Sequence, residues 1–565
     1  MLKTGETDMS FDRTKIRWNG WGWAAHKDDI GANEAVWTWL AGELGMPALL
    51  ATPARPLEEL TLQPSALSDE DRKGLRGIVG AENLRDDAYE RAFHALGRSY
   101  YDLLRLRAGD LSTAPDAVVY PRGTDEVLGV LAYAAERAIA VIPYGGGTSV
   151  VGGVTAARGK FTAAITLDMS AMSRLIDVDP VSGTATAEAG IYGPALEKML
   201  QAKGLTLGHH PQSFEFSTLG GWIGHASAGQ GSNRYGRAED WLVGAKLAAP
   251  RGLLSTGDFP ASAAGPQLKD FVVGSEGVFG VITEATVRVR EVPEASDYRG
   301  FLFRDFDGGT AAVRTAMKEG VAATMLRLSD AAETRFYRTY GQIGKRRTLA
   351  ARLADLYLKV RKFDDKACVL IAGFEGNAGE VAAARKHFAS VARKHGALAL
   401  GRGVGERWRQ GRFHAPYLRD PLLDRGVGVD TLETAASWSR LGPLYAATGT
   451  ALEKAILETV PREGARGIVM CHLSHSYLDG ASLYFTTIFP RPLDGDIAQW
   501  KTIKKAATDA IVANGGTVSH HHGVGEDHLP WIAQEKGELG VDVLRAIKSV
   551  LDPAGILNPG KLLPQ

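Results

Sequence analysis

Hydrophobic and polar residues follow different patterns along this chain, and each pattern predicts different elements. Up to about residue 110 the apolar positions have helical spacing, and one helix is predicted over 87–106. From about residue 112 short apolar runs alternate with helical patterns, which predicts strands at 139–142, 163–167, 174–178, 184–188, 241–248 and 285–289. Further strands are predicted near 299–303, 368–373 and 482–488, with helices between them. The pattern therefore predicts an α+β fold rather than an array of βαβ crossovers.

The glycine-rich stretch 143–149, Pro-Tyr-Gly-Gly-Gly-Thr-Ser, follows the predicted strand at 139–142. Three consecutive glycines allow positive φ and a close approach of the backbone to a ligand. Successive N–H groups in such a loop form an anion-binding concavity, for which a diphosphate is the natural occupant. A tight surface turn is the alternative. Residues 150–154 are apolar and interrupted by glycine, so the helix that follows a Rossmann or P-loop glycine run is missing.

Composition limits the classes of protein that the chain can belong to. Its 565 residues are too many for one ordinary core, and 45% hydrophobic and 23% charged residues are typical of a globular protein. Lys plus Arg equals Asp plus Glu at 65 each, so no overall field favours nucleic acid. Two cysteines cannot form a disulfide framework, and no apolar run is long enough for a signal peptide or a membrane span. We therefore expect a cytoplasmic location.

The long segment 209–237 is too rich in glycine and serine for a core element and too long for a simple turn. Long ordered loops of this kind usually hold a ligand. A second glycine-rich stretch, 270–284, leads into the predicted strand at 285–289. Together with 143–149, these segments indicate a ligand site built largely from loops.

Four separated segments together resemble the FAD-binding domain of the vanillyl-alcohol-oxidase type. They are Pro-x-Gly-Gly-Gly-Thr-Ser at 143–149, Ser-Thr-Leu-Gly-Gly at 217–221, Gly-Ser-Glu-Gly-Val-Phe-Gly-Val-Ile-Thr-Glu at 274–284 and Leu-Asp-Pro-Ala-Gly-Ile-Leu-Asn-Pro-Gly-Lys at 551–561. Within that superfamily the chain resembles the alkyldihydroxyacetonephosphate synthase family along nearly its full length. The closer signs are Trp-Asn-Gly-Trp-Gly at 18–22, Ser-Phe-Glu-Phe-Ser-Thr-Leu-Gly-Gly-Trp at 213–222 and Thr-Val-Ser-His-His-His-Gly-Val-Gly at 517–525.

The resemblance implies a fold class and a division of the chain. The class is α+β, with a two-subdomain FAD-binding domain of the vanillyl-alcohol-oxidase type, an α+β substrate cap domain and a helical N-terminal region. The implied division is a helical region at 1–110, the FAD-binding domain at 111–295, the cap at 296–510 and a C-terminal segment at 511–565 that returns to the flavin site. FAD is expected to be bound without a covalent link, because the glycine loop has no histidine where some relatives attach the flavin.

The resemblance also implies which residues contact the cofactor. Gln212 stands where the family usually has Asp, and the segment 225–228 differs from the family pattern throughout. The expected cofactor-binding residues are Pro143, Tyr144, Gly145, Gly146, Gly147, Thr148, Ser149, Gln212, Ser213, Phe214, Glu215, Phe216, Ser217, Thr218, His225, Ala226, Ser227, Ala228, Glu276, Gly277, Val278, Phe279, Gly280, Val281 and Ile282.

Two arginines in the predicted cap are candidates for charge recognition. Arg327 interrupts an apolar stretch, where a guanidinium needs a partner, and a structural salt bridge is the simplest explanation. Arg419 precedes Asp420, with which it could pair at the surface. The resemblance implies catalytic importance for Arg327 and substrate binding for Arg419. A guanidinium can donate two parallel hydrogen bonds to a phosphate.

The candidate proton carriers are Tyr484 and the histidines 520–522. From its pattern alone, Tyr484 is a core or edge aromatic on a strand, and the family places its acid/base tyrosine here. His520, His521 and His522 follow a strand-like segment, and alternation would send His521 to the opposite face from its neighbours. A surface loop and a zinc site are the alternatives, although tandem histidines on one strand cannot all reach one metal. The resemblance makes the three histidines catalytic, and no metal is expected.

A second group of polar residues is a candidate site, and it consists of Cys471, His472, His475 and Tyr477. Related dehydrogenases of D-2-hydroxy acids carry a zinc motif in a comparable place, and this sequence keeps two histidines of it without the Gly-Asp-Gly-Asn core. This cluster has two interpretations: a metal site, or a group of polar residues that line the substrate channel.

The sequence leaves three hypotheses about function. The resemblance implies an FAD-dependent transferase of ether-lipid synthesis that exchanges the acyl chain of acyl-dihydroxyacetone phosphate for a fatty alcohol. The rival is an FAD-dependent oxidase or dehydrogenase of a 2-hydroxy acid or alcohol, and the third is a non-enzymic flavin-binding protein. For the transferase we expect a lipid-phosphate substrate, a fatty alcohol, a homodimer and peripheral contact with a membrane.

Overall fold

The computed structural model describes residues 12–25, 33–345 and 348–564. The first eleven residues of the predicted helical region at 1–110 therefore lie outside the described residues. In the described ranges the chain forms sheets of four, five and seven strands and a small two-stranded sheet. None of the described helices is long and apolar enough to cross a membrane.

The N-terminal part is mainly helical and includes one short strand. Its elements are α1 (Glu34–Glu43), α2 (Asp69–Val79), β1 (Leu84–Arg85), α3 (Ala88–Phe93) and α4 (Tyr100–Ala108). The single helix predicted over 87–106 is wrong, because the chain breaks between α3 and α4. At the break a Cβ on Gly97 would lie 2.7 Å from the carbonyl oxygen of Ser149, so the chain turns here against the end of the glycine loop. Ser99 then begins α4 by accepting the N–H of Asp102.

The next part contains two larger sheets. Its elements are β2 (Ala117–Val119), α5 (Thr124–Glu136), β3 (Ile139–Tyr144), β4 (Ala163–Asp168), β5 (Leu175–Asp179), β6 (Thr184–Glu188), α6 (Gly193–Gln201), β7 (Leu205–Thr206), α7 (Leu219–Gly224), α8 (Ser232–Tyr235), α9 (Ala238–Trp241), β8 (Leu242–Ala249), β9 (Gly252–Ser255), α10 (Lys269–Val272), β10 (Val281–Arg288) and β11 (Arg290–Glu291).

The first of these sheets has the order β1-β2-β4-β3, with β2, β4 and β3 parallel, and the second is antiparallel with the order β5-β6-β10-β8-β9. The six strands predicted for this part are confirmed, with ends displaced by at most four residues. The predicted loop 209–237 differs from expectation, because α7 and α8 lie within it. Thr218 begins α7 by accepting the N–H of Gly221.

The third part is built on one antiparallel sheet with the order β15-β12-β14-β13-β17-β18-β16. Its elements are β12 (Ala295–Phe303), α11 (Phe306–Lys318), β13 (Met325–Ser329), α12 (Ala331–Tyr340), α13 (Leu349–Val360), β14 (Cys368–Gly376), α14 (Ala378–Lys394), β15 (Leu398–Gly401), α15 (Arg402–Gly411), α16 (Arg419–Leu423), β16 (Val427–Ser437), α17 (Trp438–Thr459), β17 (Ile468–Ser476), β18 (Gly480–Pro490) and α18 (Asp496–Ala513).

Alternation along β18 gives the seven-stranded sheet two different faces. Leu483 and Phe485 are fully buried in the core that the sheet shares with α11, α14, α17 and α18. Tyr484, between them, faces the other way. One face is therefore covered by helices, and the other is directed toward the glycine-rich loops.

The C-terminal part contains α19 (Ile532–Lys536) and α20 (Glu538–Leu551) and then returns to β3. The N–H of Asn558 donates to the carbonyl of Val141, and its side-chain amide donates to the carbonyls of Gly153 and Glu276. We retain the fourfold division at residues 110, 295 and 510 as a proposal.

The N-terminal tryptophan segment packs between these parts. The N–H of Trp21 donates to Asp420 over 2.8 Å, and the Trp21 ring packs edge-on against Phe216, with centroids 5.7 Å apart. Residues 12–25 therefore connect the glycine loops with the segment that carries Arg419.

Candidate active site

A cavity of about 1300 Å³ lies between the glycine-rich loops and the open face of the seven-stranded sheet. The loops that follow β3 and precede α7 form one wall, and strands β13, β17 and β18 form the opposite wall. Side chains from α1 and α12 close one end with apolar groups. The cavity thus brings together the two groups of candidate residues that the sequence predicted separately.

Two glycines fix the loop side of the cavity. A Cβ on Gly146 would overlap the carbonyl oxygen of Phe216, and a Cβ on Gly145 would overlap the hydroxyl of Thr218. The segments 143–149 and 212–218 can pack this closely only without side chains at these positions. The glycine loop therefore packs against a second loop and lines the cavity, and its role in binding a ligand stays a prediction.

Most of the expected cofactor-binding residues line the cavity. Six do not: Phe214, Glu215, Phe216, Ala226, Val278 and Phe279. Val278 and Phe279 are buried in the core that includes the five-stranded sheet, and Phe216 is buried in a cluster with Trp21 and Tyr417. The apolar side chains of these three residues pack inward, so only their backbone could contact a cofactor, and their assignment stays a prediction.

The loop side has the features that FAD requires. The cradle at Gly145–Gly147 excludes side chains and leaves backbone groups to meet a diphosphate. The hydroxyl of Tyr144 and the Nδ1 atom of His225 are buried and have no hydrogen-bond partner among the described residues, and both residues line the cavity. The residues present therefore fit the group.

Sheet register assembles the opposite wall. Tyr484 on β18 lies directly between Glu433 on β16 and His472 on β17, and His472 lies opposite Ser329 on β13. Directly paired residues of antiparallel strands point to the same face. Four polar side chains from distant parts of the sequence therefore form one row that faces the loops.

Tyr484 is at the centre of a group of imidazoles. Its ring stacks on His472, with centroids 4.9 Å apart, and on His521 at 6.1 Å, while His522 meets it edge-on at 5.5 Å. Burial raises the pKa of Tyr484, against the opposing effects of a hydrogen bond with Thr431 and the charge of Arg419. The phenol is therefore protonated near pH 7 unless further positive charge lowers its pKa.

The three histidines 520–522 occupy an irregular segment and not a strand. The predicted alternation is wrong, since His521 and His522 both line the cavity. His520 is turned away and bonds through Nε2 to the hydroxyl of Tyr477 over 2.6 Å. Burial lowers the pKa of His521 and lowers that of His522 to about 3, so both rings are neutral near pH 7.

Arg327 has the partner that its buried position required. It donates to Glu333 over 2.8 Å, to Ser329 over 2.9 Å and lies 3.0 Å from Nδ1 of His472. Burial opposes ionisation of Glu333, but Arg327 and then His472 outweigh it and lower the pKa of Glu333 to about 2. The salt bridge is therefore present, and it lies in the cavity wall.

Arg419 does not form the predicted surface pair with Asp420. Its guanidinium donates to the carbonyl oxygen of Arg98 over 2.6 Å, and the residue lines the cavity. Asp420 is buried and accepts instead from the N–H of Trp21. Both residues lie in the first turn of α16, where consecutive side chains point in different directions. Arg419 is the one directed toward the site.

The cluster of Cys471, His472, His475 and Tyr477 divides between the two faces of β17. Cys471 is buried in the helix-covered core and takes no part in the cavity, while His472 and His475 line it. Ring nitrogens of His475, His520 and His521 lie within 4.8 Å of one another. Ser232 bonds to His475 over 2.7 Å, and His520 and His521 approach each other within 2.9 Å. These contacts fit a polar group that lines the channel.

Several residues of the site have no motif that could have identified them. Glu433 and Glu333 are single acids within otherwise ordinary elements, and their partners are distant or lie in another strand. Trp37 and Trp39 line the apolar end, but they are two residues apart, which is not the spacing of one helix face, so the pattern did not group them. The weak signal that could have indicated Glu333 is its position six residues after Arg327, an arginine in an apolar stretch that needs an acidic partner.

The class of protein follows from the fold and the matched families. Residues 115–257 match the family described as FAD binding domain, and residues 292–562 match the C-terminal domain of FAD linked oxidases. The fold matches p-cresol methylhydroxylase with a TM-score of 0.65, at 15% identity over 89% of this chain and 98% of that chain. This is an FAD-binding protein with the fold of vanillyl-alcohol oxidase and p-cresol methylhydroxylase, and the predictions of fold class and cofactor are confirmed.

Two closer relatives define the family. The chain is 36% identical to alkyldihydroxyacetonephosphate synthase of Dictyostelium discoideum over 530 residues, which cover 93% of this chain and 86% of the relative. A solved structure of alkyldihydroxyacetonephosphate synthase matches with a TM-score of 0.82 at 32% identity, over 97% of this chain and 99% of that chain. The chain belongs to the alkyldihydroxyacetonephosphate synthase family.

Proposed function

We propose that this protein exchanges the acyl chain of acyl-dihydroxyacetone phosphate for a fatty alcohol, with FAD bound non-covalently. The observation that carries the proposal is the composition of the cavity, which joins a charged, proton-transferring end to an apolar end. The apolar end is lined by Val36, Trp37, Trp39, Leu40, Phe336, Leu358, Phe363, Leu422, Met470 and Ile488. A long-chain lipid with a phosphate head group uses both ends, whereas a small 2-hydroxy acid uses only one.

The two arginines are the proposed recognition groups for charge. Arg419 has one guanidinium nitrogen on the Arg98 carbonyl and the rest of its planar fork at the cavity wall. A phosphate can accept two parallel hydrogen bonds from such a group. Arg327 is held by Glu333 and contributes a fixed cationic group beside Tyr484 and His472. We assign phosphate binding to Arg419 and stabilisation of developing charge to Arg327.

The proposed chemistry transfers two protons and replaces the acyl chain of the substrate with the alkyl chain of the alcohol. Tyr484 acts in its ionised form, which the charge of Arg419 favours against the effect of burial. It takes the proton from the substrate carbon that carries the ester oxygen and returns it at the end. His521, which is neutral, takes the proton of the alcohol hydroxyl. The carbon–oxygen bond to the fatty acid breaks, the acid leaves as a carboxylate, and the alcohol oxygen forms the ether bond. FAD supplies electrophilic ring chemistry when bound, with no net change of oxidation state.

An assay with a labelled alcohol tests the proposal. The FAD-loaded protein is incubated with acyl-dihydroxyacetone phosphate and radiolabelled hexadecanol, and the product is treated with alkali, which hydrolyses esters and leaves ethers intact. We expect label in an alkali-stable lipid and no reduction of an electron-accepting dye in the same tube. Dye reduction driven by a 2-hydroxy acid, with no ether formed, would support the dehydrogenase instead.

The exposed face of α13 supports a membrane contact, which is also part of the proposal. Leu349, Leu353, Leu356 and Val360 recur at helical spacing and are 74%, 59%, 58% and 72% exposed. Leu358 of the same helix lines the cavity. Basic residues beside an exposed apolar stripe are typical of helices that lie in a membrane interface. This helix contains Arg352 and Lys359 and is followed by Arg361 and Lys362. A lipid substrate would enter the cavity beside such a helix.

Vesicle sedimentation measures this contact. Leu353→Asp together with Leu356→Asp should reduce binding to vesicles of phosphatidylcholine and phosphatidylserine, whereas Leu539→Asp on α20, which is 77% exposed, should not. Equal binding by all variants would exclude α13 as the contact. We further propose a cytoplasmic homodimer, which light scattering should detect at twice the chain mass of 60.4 kDa.

A further inference from the structure

The histidine loop, residues 517–528, is bound at its first half by a buried carboxylate. Glu433 is 2% exposed and accepts the backbone N–H groups of His520, His521 and His522 over 2.5, 3.1 and 2.9 Å. It also accepts the hydroxyl of Ser519 over 2.7 Å. Three consecutive N–H groups that converge on one anion form the same kind of concavity that binds phosphate in other proteins. Here the anion is a side chain of the protein itself.

A second buried carboxylate binds the other half of the loop. Glu276 is 6% exposed and accepts the N–H groups of Val524 and Gly525 over 2.6 and 2.7 Å. Its own carbonyl is fixed by the side-chain amide of Asn558 over 2.7 Å. The sequence placed Glu276 among the cofactor contacts, but its carboxylate is directed to the histidine loop. The charge of a buried carboxylate is stabilised by two or three N–H donors of this kind.

The two carboxylates come from opposite walls of the cavity. Glu433 lies on β16 of the seven-stranded sheet, opposite Tyr484 in register, and Glu276 lies just before β10 of the flavin-binding part. Five of the six N–H groups of residues 520–525 therefore donate to these two side chains and not to the carbonyl groups of a sheet or helix. This arrangement fixes the irregular backbone that turns His521 and His522 into the cavity and His520 away from it.

We propose that Glu433 and Glu276 are positioning residues that hold the histidine loop between the two walls and thereby set the direction of its imidazoles. Neither carboxylate needs to touch the lipid substrate for this role. The consequence for turnover rests on the proposed function, since it assumes that His521 receives the alcohol proton. The positioning itself does not rest on it and has a separate measurement.

Backbone hydrogen exchange distinguishes the two halves of the loop. FAD-loaded Glu433→Gln and Glu276→Gln are compared with the unchanged protein by mass spectrometry, with fragmentation that resolves residues 519–526. In Glu433→Gln we expect the amides of residues 520–522 to exchange about 10- to 100-fold faster, because charge-assisted hydrogen bonds are lost. In Glu276→Gln the amides of residues 524 and 525 should accelerate by a similar factor while 520–522 change less.

Glu375→Gln is the control for the loss of a partly buried, hydrogen-bonded carboxylate. Glu375 accepts the hydroxyls of Tyr235 and Tyr298 over 2.7 and 2.8 Å and does not touch the histidine loop. Its exchange pattern over 519–526 and its turnover should equal those of the unchanged protein. The proposal is overturned if all three variants accelerate the whole loop equally, or if neither loop variant accelerates any of these amides.

Ser519→Ala provides a milder variant in case Glu433→Gln does not fold. The Ser519 hydroxyl donates to Glu433 and accepts the N–H groups of His522 and Gly523 over 3.1 and 2.9 Å. We expect exchange at residues 522 and 523 to rise about tenfold with no change at 524 and 525. Unchanged exchange at 522 and 523 would contradict the proposal.

Turnover provides the second arm of the experiment. Misplacing a catalytic group by about 1 Å costs about 10²-fold in rate, so kcat of Glu433→Gln should fall by about that factor. FAD affinity and KM for the acyl substrate should stay within about twofold, because the variant leaves both binding walls in place. If the unchanged protein forms no ether, the proposed function fails while the exchange measurement still decides the role of the carboxylates. A fall in FAD affinity that matches the fall in kcat would overturn the positioning role.

Discussion

Each half of the molecule contains a partly buried arginine joined to a buried carboxylate and a histidine, and the two clusters serve different purposes. In the flavin-binding half, Arg13 donates to Asp168 over 2.9 Å, and His94 bonds to the same carboxylate over 2.8 Å. In the other half, Arg327 donates to Glu333 over 2.8 Å, and His472 lies 3.2 Å from the same oxygen. The chemical groups are nearly the same.

The difference lies in what else each arginine touches. Arg13 also donates to the carbonyl of Gly145 over 2.8 Å and to the hydroxyl of Tyr192 over 2.9 Å, so it supports the glycine loop from behind. Arg327, Glu333 and His472 line the cavity itself. The flavin-binding wall is thus made of backbone with side chains as supports, whereas the opposite wall is made of side chains. This contrast predicts different consequences of substitution in the two halves.

The largest effect is expected from filling the glycine cradle. Gly146→Val should abolish flavin binding, because its Cβ would overlap the carbonyl oxygen of Phe216 and the two loop segments would separate. Absorbance near 450 nm of the purified protein measures the bound flavin. Gly77→Val is the control, since Gly77 is exposed on α2 and a Cβ there meets nothing within 4 Å. Normal flavin content in Gly146→Val would remove the loop from the cofactor site.

The second effect concerns the wall that is made of side chains. Tyr484→Phe should leave flavin content unchanged and lower ether formation by about 10²–10⁴-fold, the range for loss of an acid/base group. The phenol oxygen is removed while the ring that packs against His472 and His521 stays. Tyr298→Phe is the control, because that tyrosine is buried and hydrogen-bonded to Glu375 outside the cavity. Equal rates in both variants would exclude Tyr484 as the proton carrier.

These two expectations show which part of the site the sequence could reveal. A cradle made of backbone needs glycine at fixed neighbouring positions, so Gly145–Gly147 leave a local signal that can be read without the fold. Tyr484, Arg327 and the histidines 520–522 had ordinary structural explanations, and only the family resemblance selected them. Their assembly depends on strand register and on contacts between residues far apart in the chain.

The supports were not predictable for the same reason. Glu433 and His520 are 87 residues apart, and Arg13 and Asp168 are 155 residues apart. Nothing in the surrounding residues distinguishes Glu433 from an acid on an exposed strand face. The predicted strand for the histidines was wrong because the side chain of Glu433 takes the N–H groups that a sheet would otherwise use.

The third effect tests the support behind the glycine loop. Arg13→Met leaves Asp168 buried without its main cation, and removing one partner of a buried pair costs about 3–5 kcal/mol. We expect weaker FAD binding, measured by titrating apoprotein with FAD, together with a lower unfolding midpoint. Lys15→Met changes a neighbouring, exposed cation and should alter neither. A normal dissociation constant for FAD in Arg13→Met would limit Arg13 to a structural role away from the loop.

The fourth effect is smaller and concerns charge recognition. Arg419→Lys retains the charge but loses the planar fork, so ether formation should fall about 10- to 100-fold, mainly through KM for the phosphorylated substrate. Flavin content should be unchanged. The matched control is Arg409→Lys, an exposed arginine on α15 that pairs with Glu406. A loss confined to kcat would argue against phosphate binding by Arg419.

The smallest effect compares a buried glutamate from each half by its dependence on pH. The pKa of Glu333 is lowered to about 2 by Arg327 and His472 in spite of burial, so its stabilisation is present above the unfolded pKa near 4.5 and is lost as pH falls toward 2. The pKa of Glu197 in α6 is raised by burial, so its contribution is present below pH 4.5 and is lost as pH rises. The two halves should therefore respond to acid with opposite sign.

Melting temperatures of Glu333→Gln and Glu197→Gln, taken between pH 3 and pH 8, measure this difference. The gap between the unchanged protein and Glu333→Gln should narrow by a few degrees as pH falls below about 4.5, because protonation removes the charge that Arg327 stabilises. For Glu197→Gln, the melting temperature of the variant should instead rise relative to that of the unchanged protein as pH rises. The reason is that the unchanged protein must then ionise a buried carboxyl group. If the melting temperatures of both variants instead show the same dependence on pH, the fold stabilises the two carboxylates equally well. The contrast between a wall of backbone and a wall of charged side chains would then not extend to the buried acids of the two halves.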